Sequence, residues 1–233
     1  MKTKLLIFTL FIGLIFAVSA AFGAEVQQNE NRSHENTPEA LKKILEGLEQ
    51  RYSSPGFSAR FSQESTLAAM DITDTASGTV IVKRPGMMRW EYETPERQII
   101  ITDSEQLWIY RPDENQVMVG KAPSFFKDGK GAGFLSDMKL LREKFEISRA
   151  KKKMGGEENY HLKLIPKDEN IDLKEIYLSV DPRTYIIETI VTYNIYDDET
   201  QIRLTDYDFD VIPDDQAFRF IIPDGVDVLK LEE

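Results

Sequence analysis

From Phe57 onward the apolar residues of this chain recur at every second position. Phe57, Ala59 and Phe61 alternate with polar neighbours, as do Val80 and Val82. Met88, Trp90 and Tyr92 then alternate with Arg89, Glu91 and Glu93. Period two sends successive side chains to opposite faces of an extended chain, so these runs predict half-buried strands. Further runs follow at Ile99–Thr102, Leu107–Tyr110, Val117–Val119, Phe145–Ile147, Tyr160–Leu164 and Ile176–Val180. Tyr185–Tyr196, Gln201–Val211 and Phe218–Ile222 complete the set. Turn residues separate them, for example Asp103-Ser104-Glu105-Gln106, Gly155-Gly156, Asp181-Pro182 and Asp197-Asp198-Glu199. About ten short strands with no long helix between them exclude a parallel sheet, because parallel neighbours need crossover connections. The pattern predicts an antiparallel sandwich or barrel.

Two segments carry a helical period instead. Thr37-Pro38-Glu39 combines a capping hydroxyl, a proline suited to the first helical position and an acid in the first turn. Leu41, Ile44, Leu45, Leu48 and Tyr52 follow at helical spacing, which predicts an amphipathic helix over 38–52. Later, Pro123-Ser124-Phe125-Phe126 and the glycine-rich stretch 128–133 read as a loop leading into a short apolar helix built on Phe134, Leu135, Met138 and Leu141.

The ends bound the compartment. Lys2 and Lys4 precede a nearly all-apolar run, Leu5 to Val18, and then Ala21-Phe22-Gly23. This layout reads as a cleaved signal peptide over 1–23, with cuts after Ala20 or Ala24 and an uncleaved anchor as alternatives. Polar residues 24–36 form a leader, and 37–233 a single domain. Removing residues 1–23 takes away two lysines and no acid, which moves the net charge from −11 to about −13. So acidic a protein is repelled by phosphate backbones, which excludes nucleic acid as a partner. The chain has no cysteine, so no disulfide holds it and no lipid anchor can be attached through one. The reading is a soluble periplasmic protein.

No catalytic set assembles. His34 falls in the leader, and His161 falls on the polar side of a strand, which makes both surface histidines and predicts no metal site. Gly129–Gly133 does not fit a phosphate-binding loop and reads as a hinge. Lys151-Lys152-Lys153 reads as a solvated turn. Asp206, Asp208 and Asp210 alternate with Tyr207, Phe209 and Val211, which describes an acidic outer face better than a pair of sugar-cleaving carboxylates. Met88, Trp90, Tyr92, Trp108 and Tyr110 are either core or the lining of a cavity. A barrel of about ten strands encloses more room than its own side chains fill, and methionine suits adaptable apolar surfaces. An apolar helix then serves as a plug or a lid.

Taken together, "KRPGMMRWEYETPE" and "DSEQLWIYRPDENQV" resemble the LolA family, the periplasmic carriers of outer-membrane lipoproteins. Arg84-Pro85, Met88-Arg89-Trp90, Tyr92, Pro95, Asp103, Leu107-Trp108, Tyr110 and Gln116-Val117 carry the likeness. "GFSARFSQE" and "FRFIIPDGVDVLKL" extend it, while Ser104-Glu105 departs from the family's glycine after the aspartate. The resemblance implies a mainly β fold, an unclosed antiparallel barrel of about ten or eleven strands with an α-helical lid. It implies a monomer without catalysis or cofactor. Acylated lipoproteins would be taken from an inner-membrane transporter of the LolCDE type and given to an outer-membrane acceptor of the LolB type. Arg84 matches the arginine that closes the lid on helix backbone. The acyl-chain lining implied here is Leu48, Phe61, Met88, Trp90, Tyr92, Trp108, Tyr110, Phe134, Leu135 and Met138. A lipid-sensing regulatory domain on the same barrel is the alternative, and a hydrolase depending on a carboxylate such as Asp208 is a third.

Overall fold

The computed structural model describes residues 37–122, 130–151, 154–156, 158–168 and 172–231. The export segment over 1–23, the leader with His34, residues 123–129 and Lys152-Lys153 lie outside the described residues. By internal contacts the chain divides into Met1–Lys43 and Ile44–Glu233. Within the first unit, Thr37 Oγ1 accepts the Ala40 N–H at 3.2 Å, the N-terminal cap expected from the sequence. Helix α1 runs from Pro38 to Arg51.

The second unit is one twelve-stranded unclosed sheet. Its strands are β1 Gly56–Leu67, β2 Ile72–Lys83, β3 Met87–Thr94, β4 Gln98–Asp103, β5 Gln106–Arg111 and β6 Gln116–Lys121. They continue with β7 Phe145–Arg149, β8 Tyr160–Pro166, β9 Leu173–Val180, β10 Ile187–Asn194, β11 Glu199–Asp208 and β12 Asp227–Lys230. The spatial order is β12-β6-β5-β4-β3-β2-β1-β11-β10-β9-β8-β7. Every neighbouring pair is antiparallel except β12 and β6, which run parallel. The mainly β unclosed architecture is the one expected, with one or two more strands than expected.

The core lies on one face of this sheet. Phe57, Ala59 and Phe61 stand opposite Val82, Val80 and Gly78, which stand opposite Met88, Trp90 and Tyr92. Phe57, Ala59, Phe61, Val80, Val82, Met88 and Trp90 are all buried. In the other half, Leu162 and Leu164 face Leu178 and Ile176, which face Ile190 and Thr192. One irregularity keeps the face continuous. Ser58 pairs with Asp208 but Arg60 pairs with Thr205, so β11 carries an extra residue, and Asp206 takes φ 51°. This bulge turns Tyr207 and Phe209 to the same side as Leu204. They meet Tyr52 and Phe57 there, with ring centroids 5.3–6.4 Å apart. Of the acidic outer face read from Asp206, Asp208 and Asp210, Asp206 falls in the bulge itself, and only Asp208 and Asp210 keep the alternation with Tyr207 and Phe209.

Two expected elements differ. The run Phe218–Ile222 is not a strand. Residues 213–226 form a strap that starts with a 3-10 turn, Asp215–Phe218, and crosses the outer face of the sheet. Phe220 and Val226 pack on the outward cluster of Ile101, Trp108 and Val117. Phe218 and Phe220 are the covered residues of that alternation, while Ile222 is exposed. The apolar helix over Phe134–Leu141 is likewise two pieces, a 3-10 turn over Lys130–Ser136 and helix α2, Lys139–Lys144. Asp137 Oδ1 accepts the Lys139 N–H at 3.0 Å between them.

Candidate functional site

The concave face and the elements that cover it form the candidate site. Residues 130–136 lie beside β2, and α2 continues into β7. Phe134, Leu135, Met138 and Leu141 are buried, Leu135 completely. Arg142 on α2 reaches Glu49 on α1 at 2.5 Å. Helix α1 seats closely, since a Cβ at Gly47 would lie 2.4 Å from the Tyr185 ring. Leu48 is buried on the same helix.

Arg84 stands where these covers meet. β2 ends at Lys83, and the chain turns through Arg84-Pro85-Gly86 into β3. The Arg84 N–H donates to the Pro55 carbonyl at 2.7 Å. Its guanidinium donates through Nη1 to the Ser54 carbonyl and through Nη2, at 3.5 Å, to the Leu135 carbonyl. One side chain thus bonds the segment after α1 and the 3-10 turn over 130–136. A planar fork with five donors suits two carbonyls on different elements better than an ammonium does. Burial lowers the Arg84 pKa, opposed by Tyr52 and Asp137, and the group remains charged. Its Nε has no partner among the described residues.

Register sorts the ten expected lining residues. Met88, Trp90 and Phe61 share the concave face, with Phe61 and Trp90 centroids 4.9 Å apart. Trp108 and Tyr110 do not join them. Trp90 stands opposite Ile100, and Ile100 opposite Ile109. Ile109 therefore faces the cavity, while Trp108 and Tyr110 share the outer face with Arg89 and Glu91. There they pack on Phe220, at 6.3 and 5.3 Å between centroids. Placing these two in the lining is corrected by strand parity. Leu107, Ile109 and Val80, absent from the expected set, occupy the face instead and are buried.

Tyr92 is different again. It faces inward but is only half-buried, and its hydroxyl donates to Gln63 Oε1 at 3.1 Å. Burial pushes its phenol up to about 12. Gln63 Nε2 in turn donates to Ser65 Oγ at 3.0 Å. On the other side of Tyr92, Arg111 Nε donates to Gln98 Oε1 at 3.0 Å. These polar residues are absent from the expected lining, although Gln63 continues the inward phase of Phe57, Ala59 and Phe61 and so signals a polar group on an apolar face.

His161 is also corrected. It sits in the outward phase of β8, yet it is 5% exposed. Met154 covers it: its N–H donates to His161 Nδ1 at 3.4 Å, and its side chain packs on Tyr177 and Val191. His161, Ser179 and Thr189 form a cross-strand row that is wholly buried, which gives a substrate no approach. The described residues contain no cluster of three metal-ligating side chains.

The comparisons agree with this architecture. The sequence model of the family described as outer membrane lipoprotein carrier protein LolA matches residues 53–221. A protein of Hahella chejuensis named outer-membrane lipoprotein carrier protein is 24% identical over 195 residues, covering 82% of this chain and 87% of its own. One of the same name from Pseudomonas aeruginosa is 26% identical over 219 residues, covering 94% and 98%. A crystal structure of an uncharacterized conserved protein from Thermus thermophilus superposes with a TM-score of 0.52 at 12% identity, covering 82% of this chain and 99% of that one, a likeness of fold alone. With the sheet, the covered concave face and a family match over most of its length, this chain belongs to the LolA family.

Proposed function

We propose that this protein is a periplasmic chaperone that carries acylated lipoproteins, with their acyl chains held on the concave face beneath the helical cover. The observation that carries the reading is Arg84, a charged side chain committed to the backbone of the turn after α1 and of the 3-10 turn that covers an apolar face. A tether of that kind shuts an apolar site when it is empty and yields when it is filled. The names of the relatives point to the same cargo. The export signal over 1–23 is cleaved, and the protein works as a monomer without chemical catalysis. Cargo arrives from a transporter of the LolCDE type and leaves to an acceptor of the LolB type.

The energetics fit transfer. Each buried methylene is worth about 0.8 kcal/mol, so several acyl chains in water cost tens of kcal/mol. The carrier offsets most of this, and the closed empty state competes with cargo and lowers its apparent affinity. Native mass spectrometry of the mature protein with intact lipoproteins tests the reading. A one-to-one complex with acylated cargo, absent for the unacylated form, is expected. Binding of free lipid alone, with competent cargo present, would replace the carrier by a lipid sensor.

A further inference from the structure

The two ends of the concave face differ in chemistry. At the Arg84 end it is plugged by Tyr52, Phe57, Tyr207 and Phe209. Tyr207 Oη donates to the Ile187 carbonyl at 2.8 Å, and Tyr52 Oη accepts the Ile187 N–H at 3.0 Å, so the plug's hydroxyls are used internally. Two apolar rows follow, Phe57, Val82 and Met88, then Ala59, Val80, Trp90, Ile100 and Ile109.

Beyond Trp90 the same inward phase becomes polar. Arg111 bonds Gln98, and Tyr92 bonds Gln63. Gln63 bonds Ser65, and Ser65 Oγ lies 3.4 Å from Thr200 Oγ1. Thr192 Oγ1 donates to the Thr200 carbonyl at 3.4 Å. A belt of polar side chains thus crosses the face from β5 to β10, and every member is half-buried. Inward polar groups cost stability unless they are bonded. The mutual bonds satisfy part of each side chain and leave capacity over. Among the described residues Arg111 uses Nε on Gln98 and Nη1 on Glu114, and Gln98 accepts through Oε1, which leaves amide and guanidinium donors. A cavity of about 250 Å³ opens beside them, lined by the donors of Tyr92, Arg97, Gln98 and Arg111, by Pro95, and by the carboxylates of Glu96, Asp113 and Glu114.

Resting on the carrier reading, we infer that this belt receives the ester and amide carbonyls that join acyl chains to the cargo. The acyl chains then run from the belt toward the aromatic plug, and the polypeptide leaves past the turns at 94–98 and 111–116. Carbonyl oxygens only accept hydrogen bonds, so they need the donors that the belt has and the plug has already spent. Arg84 gates the buried end and does not mark the exit.

The chain has no cysteine, so single spin labels can be placed without background. A synthetic triacylated lipopeptide with a nitroxide three residues after the acylated cysteine is bound to protein labelled at Asp113→Cys or at Ser104→Cys, both exposed sites at opposite ends. The distance is expected to be the shorter for Asp113→Cys, and the reverse order overturns the inference. Failure of the lipopeptide to bind either protein overturns the carrier reading itself, an outcome distinct from reversed distances. A second measurement compares ester-linked and ether-linked lipopeptides on Gln98→Leu. Ester binding should weaken about two- to tenfold while ether binding holds. Equal weakening of both would mean that the belt is structural.

Discussion

Two aromatic clusters lie on opposite faces of the same sheet, one on β1 and β3 and the other on β5, and answer to different partners. Inside, Phe61, Trp90 and Tyr92 face the covered concavity. Outside, Trp108 and Tyr110 face Phe220, contributed by the strap of the same chain. In sequence, "RWEY" and "LWIY" look alike. The outer cluster is filled by the strap's own aromatic ring, packed on both Trp108 and Tyr110, and so serves stability. The inner one lies under helical elements held by side chains, Arg84 on the Leu135 carbonyl and Arg142 on Glu49. An apolar phase states that a face is covered, and it leaves open what covers it.

The sharpest attack on this contrast is to truncate one tryptophan from each cluster. Trp108→Ala should cost about 3–5 kcal/mol in urea unfolding, and cargo affinity per folded molecule should not change. Trp90→Ala should also destabilise the empty protein, but saturating acylated cargo should narrow its gap to wild type. Identical behaviour of the two variants would erase the distinction between inner and outer clusters.

A smaller effect probes how tightly α1 sits. Alanine favours helix over glycine by about 1 kcal/mol. Gly47→Ala should nevertheless lower stability by about 1–3 kcal/mol in thermal melts, because the added methyl meets the Tyr185 ring. A stabilised variant would show that α1 is seated loosely.

The aromatic plug should be read out by pH. Burial raises Tyr52 to about 12, opposed by its bonds to Tyr207 and Ile187. The neutral phenol is the folded form, so its contribution is full below about pH 10 and is lost as pH rises through 12. Tyr52→Phe should lose about 1–3 kcal/mol at neutral pH, since the Ile187 N–H loses its acceptor. The variant should also have a shallower loss of stability between pH 10 and 12, followed by circular dichroism. An unchanged alkaline slope would place the sensitivity in other tyrosines.

Arg84→Leu should change global stability least, within about 1 kcal/mol. Two carbonyl bonds go, and so does a desolvated charge whose Nε is unmatched among the described residues. Its effect should appear instead in faster hydrogen exchange over 130–144 and in cargo retained at the transfer step. Normal transfer in a reconstituted assay would remove Arg84 from the gate.

Much of this was legible in the chain. Strict alternation gives the strands, and Thr37-Pro38 gives the start of α1. Face assignment was lost at the turns, because parity after a turn depends on pairing. Ile100 opposite Ile109 is a long-range fact that "QIIITDSEQLWIY" does not contain. A clue existed, however. Ile99-Ile100-Ile101 and Leu107-Trp108-Ile109 are apolar in both phases, the mark of strands covered on both faces. The strap over 213–226 is that second cover. The polar belt is hidden for a related reason: Gln98 stands at the start of β4 beside a turn, Gln63 lies among polar neighbours in β1, and only the register joins them.

Asp206 sets a rule for how the length of this chain can change. Because β11 holds one residue more than its partner there, Tyr207 and Phe209 lie inward only through that surplus. Loss of one residue from this stretch would reverse the pair to the solvent side and open the plugged end. Loss of two would keep the phase and only shorten the strand. Relatives that diverge here by insertion and deletion should therefore differ by even numbers of residues, so this part of the family is constrained by parity even where residue identity drifts.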